Sequence, residues 1–162
     1  MKRALVPVIA AGAAALVAGC GGGGSSHGSA AVGSAPSKSR GTAVDVRSSK
    51  LGRILVNGSG RTLYLFEKDK GPMSTCFGAC ASAWPPATTA ARPVAGPGLA
   101  SAKLTEVARK GGARQLVYNG HPLYFYAGDQ GPGQTNGEGL RQFGAEWYVL
   151  SPAGNKVETG GS

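Results

Sequence analysis

Leu63-Tyr64-Leu65-Phe66-Glu67-Lys68-Asp69-Lys70-Gly71-Pro72 returns as Leu123-Tyr124-Phe125-Tyr126-Ala127-Gly128-Asp129-Gln130-Gly131-Pro132, without a gap and 60 positions later (124 minus 64). Each copy is an aromatic strand that runs into an Asp-x-Gly-Pro turn. A tryptophan follows each, Trp84 and Trp147, so the duplication continues into whatever packs behind the strand. An internal repeat decides architecture before any other feature. Along the strand Leu63 and Leu65 point to one face, Tyr64 and Phe66 to the other. Both faces are apolar, which predicts cover on each side. The expected fold is mainly β: a compact antiparallel domain over 44–158 built from two tandem repeats, about 51–90 and about 112–154.

The flanking sequence supports strands on either side of each copy. Arg53-Ile54-Leu55-Val56 is apolar and β-branched, Asn57-Gly58-Ser59-Gly60 is a turn cluster, and 62–67 reads as the returning arm of a hairpin. The clearest hairpin joins 114–118 to 121–126 through Asn119-Gly120, the favoured two-residue turn. A strand is expected over 103–108 and another over 146–150. Residues 88–102 connect the copies. Residues 133–143 read as a glycine-rich loop with one helical turn near Leu140. In the Asp-x-Gly-Pro turns the carboxylate is expected to accept from the backbone two residues on. A functional role for Asp69 and Asp129 stands beside that reading.

Two of the three cysteines, Cys76 and Cys80, lie in the domain. Four positions apart, they come within about 6 Å if the segment makes a helical turn, inside disulfide range. So small a loop would stabilise by about 2 kcal/mol. A redox-active pair is the sharper alternative, although Cys-x-x-x-Cys is not the spacing of thioredoxin-like proteins.

The third cysteine belongs to an address segment. Met1-Lys2-Arg3 is a positive n-region, 4–17 is an apolar run too short to span a bilayer, and Leu16-Val17-Ala18-Gly19-Cys20 resembles a bacterial lipobox. Residues 1–19 are then a lipoprotein signal peptide, Cys20 carries the lipid, and 20–43 is a flexible Gly, Ser and Ala tether with a reach of roughly 25 Å. His27, alone in that tether, reads as a bystander. The whole chain carries 17 Lys and Arg against 8 Asp and Glu. Removing Lys2 and Arg3 leaves 15 against 8, or +7. The basic residues are dispersed and no nucleic-acid motif gathers them, so nucleic acid is not an expected partner.

Four motifs occur in order: Tyr-x-(Phe/Tyr)-x-x-Asp twice, Cys-x-x-x-Cys-Ala-x-x-Trp-Pro-Pro, Tyr-Asn-Gly-x-Pro-Leu-Tyr, and Phe-Gly-x-x-Trp-Tyr-Val-Leu-Ser-Pro. Together they make residues 51–154 resemble the bacterial predicted lipoproteins with a Tyr-x-(Phe/Trp/Tyr)-x-x-Asp motif, also called the secreted repeat of unknown function. The resemblance implies a secreted or lipid-anchored protein carrying the repeat in tandem, and no particular chemistry.

No catalytic constellation is legible. There is no Gly-x-Ser-x-Gly elbow, phosphate loop or paired histidine. Asp69 and Asp129 either meet as a carboxylate pair or lie apart. A calcium site would draw on Asp129, Asn136 and Glu138, without EF-hand spacing, and no metal or other cofactor is assigned. The leading expectation is a lipid-anchored, non-enzymatic binding or structural module on the extracytoplasmic face of the cell membrane, the outer membrane in a two-membrane host. Tyr64, Phe66, Asp69, Trp84, Tyr124, Tyr126, Asp129 and Trp147 are its candidate binding residues: most of the aromatics are expected to fill the small core, and any on an open face would form a platform for a cell-wall polymer, a peptide or an envelope protein. The alternative is a redox, metal or haem accessory protein using Cys76, Cys80, Met73 and His121.

Overall fold

The computed structural model describes residues 41–158. The signal peptide, Cys20, His27 and nearly all of the tether lie outside the described residues. Ten strands appear in chain order: β1 (Ala43–Ser49), β2 (Gly52–Asn57), β3 (Tyr64–Phe66), β4 (Thr88–Thr89), β5 (Val94–Ala95), β6 (Leu104–Ala108), β7 (Arg114–Tyr118), β8 (His121–Pro122), β9 (Arg141–Gln142) and β10 (Ala145–Val149). One short helix, α1 (Ala79–Ala83), lies between β3 and β4. The strands form three small sheets, ordered β2-β1-β5, β3-β10-β9 and β4-β7-β6, with β8 also paired to β7. Every pair is antiparallel except the two-residue contact of β1 with β5.

The duplication reaches further back than the sequence reading placed it. Hairpin β1–β2 in copy one corresponds to β6–β7 in copy two: Val44 faces Asn57 and Leu104 faces Tyr118. β1 was not anticipated, because Val44 and Val46 alternate with charged and small residues in a stretch that blends into the tether. The Asn119-Gly120 turn forms as expected, with both residues at positive φ (50° and 81°), as a two-residue hairpin requires. The hairpin after β2 holds for one step only. Thr62 bridges Val56 and the Leu63 amide donates to the Leu55 carbonyl, 3.0 Å; then β3 leaves β2 and pairs with β10. No helix forms near Leu140, where five glycines between 131 and 144 favour consecutive turns instead.

The apolar alternation of the motif strand divides the interior in two. Leu63 and Leu65 join Val44, Leu55, Leu104, Leu116, Leu123 and Leu150 in an aliphatic cluster. Tyr64 and Phe66 join Trp84, Tyr124 and Trp147, with Cys76 and Cys80, in an aromatic one. The strand is thus covered on both faces, as its sequence demanded.

Candidate functional site

The two copies complete each other. At the centre Tyr64 and Tyr124 exchange backbone hydrogen bonds, amide to carbonyl, at 2.9 and 3.0 Å. Their side chains exchange as well: the Tyr64 hydroxyl donates to Asp129 Oδ2 and the Tyr124 hydroxyl to Asp69 Oδ2, both at 2.6 Å. Each motif therefore supplies a phenol to the other's carboxylate. The remaining oxygen of each aspartate ties down its own following loop. Asp69 Oδ1 accepts from the Thr75 amide and hydroxyl, both 2.7 Å, and Asp129 Oδ1 accepts from the Asn136 amide at 3.0 Å. Those acceptances fall six and seven residues on. The expected bond two residues on gives way because the carboxylates turn inward, where only the longer loop and the opposite tyrosine reach them.

The tryptophans follow the same exchange. Phe66 stacks on Trp147 (4.0 Å, 7°), Trp147 on Trp84 (3.9 Å, 4°), and Trp84 lies against Tyr126 (4.4 Å, 31°). The order alternates copy one, copy two, copy one, copy two. Each tyrosine meets its own copy's indole edge-on, Tyr64–Trp84 at 5.3 Å and Tyr124–Trp147 at 5.1 Å, the geometry that ring quadrupoles favour. Gln142 satisfies both indoles, its side-chain oxygen accepting from Trp84 Nε1 at 2.8 Å and its carbonyl from Trp147 Nε1 at 3.2 Å.

This constellation is a core. Tyr64, Tyr124, Trp84 and Trp147 are fully buried, and Phe66, Asp69 and Asp129 nearly so; only Tyr126 is half-exposed. The open aromatic platform anticipated from sequence is therefore absent from these residues: their rings stack on one another instead of facing solvent. Nor do Asp69 and Asp129 form a carboxylate pair, since each is held by the other copy's tyrosine. Burial, and then the bond to a carboxylate, push both phenols well above the ordinary tyrosine range. Both hydroxyls serve as donors to the opposite copy's carboxylate.

The cysteines form the expected disulfide, with α-carbons 5.3 Å apart. Cys76 is fully buried and Cys80 is 7 % exposed, so an attacking thiolate has little access. Arg109 braces the bridge: it donates to the Cys76 carbonyl at 2.6 Å and lies over the Phe77 ring at 4.6 Å. Met73 stands on the surface, and burial lowers the pKa of His121. Among the described residues no three His, Cys, Asp or Glu side chains gather at metal-holding distance. Of the calcium candidates, Asp129 and Glu138 instead accept backbone amides, from Asn136 and Val149.

Two segments, 45–88 and 105–151, match the family described as a secreted repeat of unknown function. They cover more than half of the chain, and the chain belongs to that family; it is an extracytoplasmic protein. Comparison with curated proteins and with solved structures returns no match. The two matched segments begin 60 residues apart (105 minus 45), the spacing that relates β1 to β6. The geometry gives the family's tyrosine and aspartate a physical role: they lock two copies face to face. No helix among the described residues is long and apolar enough to cross a membrane.

Proposed function

We propose that this protein is a lipid-anchored, non-enzymatic module of the cell envelope, attached to the extracytoplasmic face by acyl chains on Cys20. In a two-membrane host the outer membrane is the site, since Gly21 follows the modified cysteine where a retained lipoprotein often has aspartate. The observation that carries the non-enzymatic reading is the mutual burial of the motif tyrosines and aspartates. A reacting group needs a path to substrate, and these four form closed hydrogen-bonded pairs. What supports the anchor is the Leu16–Cys20 sequence behind a short apolar run. Two or more acyl chains give stable attachment where one does not.

Membrane fractionation tests the anchor. The unaltered chain is expected in the membrane fraction, and Cys20→Ser in the medium or as an uncleaved precursor. Identical fractionation of both forms overturns the assignment. Release of the folded domain by trypsin cutting at Lys38 or Arg40 supports a tether reaching beyond the headgroups.

A further inference from the structure

We propose that a groove at the seam between the two copies binds a short unblocked peptide, its ammonium group on Asp45 and its carboxylate on Arg47. The proposal rests on the reading of the domain as a binding module, and supplies the ligand class that reading lacks.

A groove open to solvent, with a volume of about 410 Å³, runs between β1, the 57–60 turn and Pro132, a volume within the range of small-ligand sites. Its walls come from both copies. The Gly133 amide donates to the Gly60 carbonyl at 2.8 Å, and the Thr62 hydroxyl to the Gln134 carbonyl at 2.6 Å. Asp45 and Arg47 are alternate residues of β1 and share one face, while Val44 is buried in the aliphatic core and Val46, half-buried against that core, also lines the groove. The Arg47 guanidinium lies along Gly60 and Gly133, where an added Cβ would come within 2.6 and 3.1 Å of it. Both glycines also have positive φ, 79° and 73°, so a side chain at either is disfavoured by the backbone.

Neither charge has an ion pair among the described residues, although the Asp45 carboxylate rests against Gly96 and the Arg47 guanidinium against Gly60 and Gly133. Every other aspartate and glutamate among the described residues takes a hydrogen bond or an ion pair. Asp45 takes neither among those residues, and Arg47 has no ion pair there. The second copy shows that a hairpin of this kind does not require them. Val44 corresponds to Leu104, so Thr105 and Val107 stand where copy one has Asp45 and Arg47. By the 60-residue offset of the motifs, Met73 stands in place of Gly133. Both charges and Gly133 thus occur on one side of the molecule only, whereas Gly60 has its counterpart in Gly120.

The pair of opposite charges selects the ligand. A simple anion would suit Arg47 but meet Asp45 beside it. Alternate residues of a strand are about 6.6 Å apart, and two extended residues span about 7 Å. A dipeptide lying parallel to β1 would thus bring its amino end to Asp45 and its carboxylate to the fork of Arg47, which accepts a carboxylate through two parallel bonds. Asn57, Ser59 and the turn backbone are at hand for its amide.

The test uses the isotope-labelled full chain in detergent micelles, titrated with alanyl-alanine, its N-acetyl form and its C-terminal amide. Alanyl-alanine is expected to shift the amide resonances of residues 58–60 and Gly133 saturably. Removing either charge from the peptide is expected to weaken binding at least tenfold, as loss of a charge-assisted hydrogen bond implies. The double variant Asp45→Thr/Arg47→Val, which installs side chains copy two already carries, is expected to keep the melting temperature and lose the shifts. Absence of a saturable shift at about 10 mM peptide, or equal shifts with the blocked peptides, overturns the site. So do equal shifts with the double variant. If that variant does not fold, the blocked peptides on the unaltered chain still decide. Membrane fractionation is independent of this titration, so failure of the groove leaves an anchored structural module, and failure of the anchor leaves the groove.

Discussion

The two carboxylate nests answer the same packing problem with different materials. In copy one the loop after Asp69 is short, closed by the Cys76–Cys80 bridge, and Asp69 Oδ1 holds both the amide and the hydroxyl of Thr75. The Tyr124 hydroxyl it faces also lies 2.6 Å from Ser74 Oγ, which in turn accepts the Cys76 amide. In copy two the loop after Asp129 is longer and has no cysteine. Asp129 Oδ1 holds a single amide, the Gly137 amide reaches Tyr64 Oη at 3.3 Å, and the loop is closed by the β9–β10 hairpin and by Glu138 accepting from Val149. A covalent staple on one side is matched by a hydrogen-bonded one on the other. The difference teaches that the fold requires the loop to be closed, and that the chemistry of closure is free to vary.

Four measurements would break or sharpen that comparison. The largest effect is expected from separating the copies. Each motif strand finds its partners in the other copy, Tyr64–Phe66 with Trp147–Val149 and Tyr124 with Pro86. Residues 41–99 and 100–158 expressed alone should therefore show no near-ultraviolet circular dichroism and no cooperative melting. A cooperatively folded single copy would refute the exchange.

Next come the aspartates. Asp69→Ala strands both Thr75 donors and leaves the Tyr124 phenol with Ser74 as its one acceptor, and Asp129→Ala strands the Tyr64 phenol and one amide. Costs of about 4 and about 3 kcal/mol are expected by denaturant unfolding, in that order. The reverse order would mean that the denser nest is not the stronger one.

Removing the staple is a smaller change. Cys76→Ala with Cys80→Ala should cost about 2 kcal/mol through the loop it closes. The increase in amide exchange should be confined to 69–80 and the Tyr124 end of the core. Equal loosening of 129–140 would show that the two nests are coupled through the stacked indoles.

The smallest effect is in alkali. Both motif phenols have pKa values raised in the folded state above the ordinary 10.0. Their contribution is therefore fully present below pH 10 and is lost as pH rises above it. The melting temperature should fall from about pH 10 upward, and less steeply in Tyr64→Phe and Tyr124→Phe, each of which removes one ionising group. An unchanged slope in both variants would assign the alkaline loss to other residues.

Several features were legible because their causes are local. The gapless offset between the two motifs revealed the duplication, the leucine–aromatic alternation revealed a strand buried on both faces, and Asn119-Gly120 announced its turn. The cysteine spacing carried the disulfide for the same reason, since bridge geometry depends on a few neighbouring α-carbons. β1 was hidden by its charged alternate positions, the very residues that line the groove. The destination of the motif residues was hidden too: Tyr124 and Asp69 are 55 positions apart, and Tyr64 and Asp129 are 65.

By itself, then, the order of residues determined that there are two copies, that each is an aromatic ribbon ended by Asp-x-Gly-Pro, and that two nearby cysteines join. The tertiary structure alone decided that the tyrosines and tryptophans of both copies interleave in one shared core, so that an apparent binding platform is an internal lock. It also decided that the charges on β1 open onto a groove between the copies. The physical reason is that backbone periodicity acts over a few residues, whereas the partner of a buried hydrogen-bonding group is whichever group the folded chain brings within about 3 Å.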